Sequence, residues 1–196
     1  MQINIKKQIK GYKSQHKKQK SNLRWILNIT IAAFFISLFF SFSSETIIPN
    51  VNIIIGIILV IIFIFLGILF DMIGIAVTAA DEAPFHSMSS RKIKSANVAV
   101  VFKKNADKVS SFCNDVIGDI CGIISGSAGV IIASKLSIIT NVDILIVTLV
   151  ITAIIASLTI GGKAIGKHAA INNSNIILYE FAKTVAIFYQ PKNKKK

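Results

Sequence analysis

The chain has 196 residues, 53% of them hydrophobic, and a mean hydropathy of +0.67. Those values put it in the membrane class rather than among soluble globular domains, and the length allows one domain. A formal charge of +13 would point to nucleic acid in a soluble protein; here the basic residues flank apolar runs and no aromatic-basic module accompanies them, so no nucleic-acid partner is expected.

Residues 1–24 carry Lys6, Lys7, Lys10, Lys13, Lys17, Lys18, Lys20 and Arg24 and no acid, a block suited to solvent or to anionic headgroups. The run 25–42 comes next. As a helix it covers about 27 Å, enough to span, and Trp25 stands where an interfacial aromatic belongs. It lacks a small-x-small cleavage site, so it is expected to be a retained span. After a short polar turn at 43–50, the run 51–79 contains Asp71 as its one charged residue. The segment 81–108 is basic, and Ile93, Ala96, Val100 and Val101 predict one face of a helix lying in the interface. A third span is expected at 109–133, with Gly118, Gly122 and Gly126 spaced by four as a stripe for close helix approach. A loop at 134–141 leads to a fourth span at 142–160, closed by Gly161 and Gly162. In the tail 163–196, Ile176, Ile177, Tyr179, Phe181 and Val185 predict a further amphipathic helix.

The expected fold is therefore an all-α integral membrane protein. It comprises a basic segment 1–24, a transmembrane domain 25–162 with four spans and accompanying interfacial helices, and a basic segment 163–196. Four spans put every Lys and Arg except Lys135 on one side, so both termini are expected to be cytoplasmic in the cell membrane. Cys113 and Cys121 lie eight residues apart, roughly 12 Å along a helix, too far for a mutual disulfide, and read as small buried hydrophobes. The three histidines are scattered through polar segments and predict no metal site.

Carboxylates in lipid cost roughly 2.5–3.5 kcal/mol each on insertion scales and need a partner or a cavity. Asp71, Gly74, Thr78 and Glu82 step by three or four and share a helix face; Asp115 and Asp119 share another, flanked by Gly118 and Gly122. Thr78, Glu82, Asn114, Asp115 and Asp119 are the expected ligands of a cation between the second and third spans. Magnesium suits them, being a hard ion that prefers oxygen ligands and keeps several waters. The plainer reading pairs these acids with nearby bases: Asp81 and Glu82 with Arg91 and Lys92, Asp115 with Lys104 or Lys108. Gly161 to Lys167 reads GxxxxGK, but His168 stands where a phosphate loop needs Ser or Thr, and a membrane span precedes it, so no nucleotide site is expected. No nucleophile-base pair is visible, and no enzyme activity is expected.

At these residues the chain resembles the transmembrane domain of the CNNM/CorC (CorB) magnesium and cobalt transporters. That family's first core helix ends in Ser-x-x-Glu with Ser and Arg beyond it; here Ala79-Ala80-Asp81-Glu82 precedes Ser87 and Arg91-Lys92. Its Asn-rich motif corresponds to Asn114-Asp115 through Asp119. Its closing Gly-Glu-x-x-Pro-Lys corresponds to Gly162-Lys163-Ala164-Ile165-Gly166-Lys167. The resemblance covers roughly residues 60–189 and implies a homodimer that carries magnesium, with membrane lipid and the divalent cation as its partners. The chain departs from the family with Ala79 for Ser, Asp115 for Asn, Lys163 for the acid and Gly166 for Pro. No segment of the size of the family's CBS domains comes after residue 190, so their nucleotide regulation is not expected. The rival expectations are a non-transporting membrane scaffold or partner subunit that kept the fold and lost the ion path, and a small pore-forming protein.

Overall fold

The computed structural model describes residues 23–188. Nearly all of the basic segment 1–24 and the terminal lysine cluster lie outside the described residues. Within them, eight α-helices run in order: α1 Leu23–Ile47, α2 Ile53–Ala79, α3 Glu82–Ser90, α4 Lys94–Lys104, α5 Ala106–Ser111, α6 Asp119–Thr140, α7 Ile144–Asn172 and α8 Ser174–Phe188. A 3-10 turn, Ile48–Asn50, joins α1 to α2, and a π-helical segment, Phe112–Gly118, joins α5 to α6. No strand occurs among the described residues. Four stretches are long and apolar enough to cross a membrane: Trp25–Asn50, Ile53–Ala79, Ala106–Thr140 and Ile144–Asn172. The described residues are thus all-helical, with the character of a membrane protein.

The contacts divide the chain between Phe35 and Ile36. The described part of the first unit is the leading half of α1. Its Ile26, Leu27, Ile31, Phe34 and Phe35 are exposed, as side chains meant for lipid would be. Thr30 spends its hydroxyl on the Ile26 carbonyl at 2.9 Å, so that polar group is not left bare.

The second unit is built on α2, which packs against α6 and α7. Buried Val60 and Ile64 of α2 meet Ala128 and Ile132 of α6, with Ile48 closing the layer. Glycine-sized gaps on α2 and α7 bring the helices close. A side chain at Gly56 would meet Ile132 at 3.4 Å, one at Gly162 would collide with Ile68, and one at Gly166 would sit 2.8 Å from Met72. Gly161 and Gly162 do not end the helix of the fourth span; α7 runs on to Asn172. An interior glycine costs a helix only about 1 kcal/mol, and the close packing it permits offsets that. Likewise the expected loop 134–141 is mostly helix: α6 continues to Thr140 and stops at Asn141, which adopts the left-handed conformation (φ 53°) that asparagine tolerates.

At one end of the bundle, α3, α4 and α8 fold back onto the end of α2. Val77, Ala80, Phe85, Val98, Ala99, Leu178 and Ala182 make a second core. The segment 81–108 is consequently three packed helices rather than one interfacial helix. The buried face of α4 centres on Ala96, Val98 and Ala99, whereas Ile93, Val100 and Val101 are half-buried. Tertiary packing against α8 selects that face. Two lysines fasten α2 at its ends. Lys103 Nζ donates to the carbonyls of Val77 (3.3 Å) and Thr78 (2.7 Å), satisfying the last turn of α2 where the helix dipole favours a cation. Lys135 Nζ donates to the carbonyls of Ile48 (3.1 Å) and Val51 (2.6 Å), tying the α1–α2 turn to α6.

Candidate cation site

The site grows from one face of α2. Gly67, Asp71 and Gly74 recur at i, i+4 and i+7 and so stack on that face. Gly67 lies against Cys121, whose Cβ would stand 3.2 Å from an added side chain, and against the Gly118 carbonyl at 3.6 Å. Gly74 leaves the space into which the Asn114 amide projects; any side chain at position 74 would occupy the place of Asn114 Oδ1. Between the two glycines, Asp71 extends toward α7 and meets Lys163, with Nζ 4.0 Å from Oδ1. Both side chains are largely withdrawn from solvent, at 16% exposed for Asp71 and 30% for Lys163. The Lys163 ammonium also lies over Gly118, 3.8 Å from where a Cβ would be. The site thus gathers a carboxylate from α2, an amide and a bare backbone turn from the π segment, and an ammonium from α7.

Two buried side-chain oxygens among the described residues have no hydrogen-bond partner, Ser44 Oγ and Asn114 Oδ1. A serine in a helix has a ready acceptor four residues back, as Ser43 finds in the Phe39 carbonyl at 2.8 Å. An amide oxygen only accepts, and at Asn114 no donor reaches it. A buried, unmatched acceptor is costly unless water or a cation completes it. Its place in a π segment adds weight, because such bulges, with i→i+5 bonds, gather at functional sites.

The five expected ligands do not converge. Asn114 alone faces α2. Thr78 is exposed and its hydroxyl bonds to the Ile75 carbonyl at 2.8 Å. Glu82 is half-exposed and has His86 as its neighbour, with Nε2 4.0 Å from Oε2. Asp115 and Asp119 are exposed. Among the described residues, no three histidines, cysteines, aspartates or glutamates lie together so as to hold a metal ion. Two physical causes separate them. The α2 helix breaks at Ala80, which is extended (φ −64°, ψ 151°), so the face traced from Asp71 does not reach Glu82. The π segment and α6, meanwhile, turn a neighbouring stripe toward α2. The inward face is Asn114, Gly118, Cys121, Ser125, Ala128 and Ile132, one residue off the stripe of Asp115, Asp119, Gly122 and Gly126. An added side chain at Gly122 or Gly126 would meet nothing within 4 Å. That stripe is an open face of the chain, not the α2–α6 contact.

The structure keeps Asp71, read from the sequence as part of the acidic face though not among the five ligands, and adds Lys163, which stands at the acidic position of the resembled closing motif. Their signal is present all the same: one acid in an apolar run of 51–79, and a lysine directly after the Gly161-Gly162 pair. No protein-family model matches the chain, and no curated protein matches its sequence.

Proposed function

We propose that this is a polytopic protein of the cell membrane that handles a divalent cation, magnesium or cobalt, at the junction of α2, the π segment and α7. The observation that carries this reading is the buried Asn114 oxygen without a donor, one helical turn along α2 from the Asp71 carboxylate. Ionisable residues inside membrane spans are retained for ion or substrate paths. One carboxylate, one amide oxygen, backbone carbonyls and water make the mixed oxygen shell that magnesium takes, since it dehydrates reluctantly and seldom uses an all-protein cage. Both termini face the cytoplasm, in keeping with the placement of every basic residue on one side except Lys135, which is engaged with carbonyls, and Lys163, which pairs with Asp71 within the bundle. Two copies of the chain associate through the open Gly122 and Gly126 face of α6, where small residues allow backbones to meet.

The test is magnesium flux into liposomes carrying the purified chain and an entrapped indicator. Wild type is expected to conduct, and Asp71→Asn and Asn114→Ala to lose most of that flux. Unchanged flux in both variants would place the path elsewhere.

A second reading has its own observation. Asp71 already has a counter-ion in Lys163, and such a pair neutralises the span without any metal. On this reading the chain is a non-transporting scaffold or partner subunit that keeps a transporter-like bundle. Wild-type liposomes that pass no magnesium, alongside a chain that copurifies with a second membrane protein, would favour it.

A further inference from the structure

We propose that the Lys163 ammonium is the resident cation of this site, so that it and a metal ion exclude one another. The inference rests on the reading of Asp71, Asn114 and the π segment as a cation site, and concerns what fills it. Lys163 Nζ stands 4.0 Å from Asp71 Oδ1 and beside Gly118, 3.8 Å from where a Cβ there would be. It is bounded by the carboxylate of α2 and the backbone of the π segment, the surroundings a bound ion would need. A lysine suits such a post because its ammonium is a compact charge on a flexible stem.

Charge decides the competition. With Asp71 as the paired acid, a divalent ion beside Lys163 would leave the site two charges positive, inside an apolar bundle that screens charge poorly. Either the lysine withdraws along its stem when the ion enters, or the ion stays out. Neutralising Lys163 lowers the excess to one positive charge, and replacing it by Glu brings the site to neutrality with two carboxylates. Affinity for a divalent ion is therefore ordered Lys163→Glu above Lys163→Gln above wild type.

The readout is thermal unfolding of the full-length protein in detergent against magnesium chloride, with potassium chloride at equal ionic strength as the reference. A ligand bound only by the folded form raises the melting temperature as its concentration passes the dissociation constant. Lys163→Glu is expected to gain several degrees in millimolar magnesium and Lys163→Gln a smaller amount. Among the chains that keep Asp71, wild type is expected to respond least, and the double variant Asp71→Asn with Lys163→Gln, which lacks both charges, not at all. Lys163→Gln keeps most of the stem and carries the test if Lys163→Glu does not fold. The proposal is overturned if wild type is stabilised as much as the variants, or if folded Lys163→Gln and Lys163→Glu both ignore magnesium. Liposome flux separates this from the functional reading: a wild type that passes no magnesium while Lys163→Glu binds it keeps the resident lysine and removes the transporter.

Discussion

Asp71 and Lys163 are each expensive in a membrane span and tolerable together. Removing one partner leaves the other charge without compensation. Asp71→Asn is expected to destabilise the protein by about 2–3 kcal/mol, the scale of a single charge at a span centre, and the double variant Asp71→Asn with Lys163→Gln to recover most of that loss. Chemical denaturation in mixed micelles measures both; a double variant no more stable than the single one would show that the two side chains do not act as a pair. Asn114 poses the opposite problem, an acceptor lacking a donor, and Asn114→Leu is expected to leave stability unchanged or raise it, because an unmatched buried oxygen is removed.

At the scale of elements, glycines that look alike in sequence have different roles. Gly74→Leu would force Asn114 from its place and part α2 from the π segment, whereas Gly122→Leu would meet open space. The first is expected to cost about 1–3 kcal/mol, the range for overpacking, and the second to leave unfolding unchanged while weakening self-association, which crosslinking in the membrane would register. Equal loss of stability in both would mean that the Gly122 face is buried after all. Much of the elements was legible in the chain. Four long apolar runs read as four spans, because crossing oil demands length and composition that nothing else in the sequence imitates. The ends were harder: Gly161-Gly162 reads as a stop, and only the proximity of Ile68 and Met72 shows why α7 passes through it. The candidate site was legible in its chemistry, an acid and an amide within spans marking Asp71 and Asn114, but not in the exclusion of Thr78, Glu82, Asp115 and Asp119. Asn114, Gly118, Cys121, Ser125, Ala128 and Ile132 keep the ordinary helical spacing of three and four, so periodicity permits this stripe as readily as the one beside it, and only packing against α2 chooses between them.

For the molecule as a whole, the membrane bundle and the helical cap at the end of α2 are held by separate cores, Val60 with Ile132 in one and Phe85 with Leu178 in the other. The cap carries Arg91, Lys92, Lys94, Lys104 and Lys183 on its exterior, the distribution expected of a cytoplasmic end. A cysteine placed at Thr46 or Asn141 is therefore expected to react with an impermeant thiol reagent outside intact cells, and one at Lys94 only after lysis. Background is low because Cys113 and Cys121 are both buried. The reverse labelling would invert the four-span topology.

The clasp made by Lys135 has a consequence for how the protein is made. The turn it holds, from Ile48 to Val51, is synthesised more than eighty residues ahead of it. When α1 and α2 leave the ribosome, the Ile48 carbonyl has only the long 3.4 Å bond from the Val51 N–H and the Val51 carbonyl has no lysine, so the hairpin must wait in the membrane with its bend unclasped until α6 delivers Lys135. A ribosome-arrested chain ending before Lys135 should accordingly show this bend open to protease, and one that includes all of α6 should show it closed.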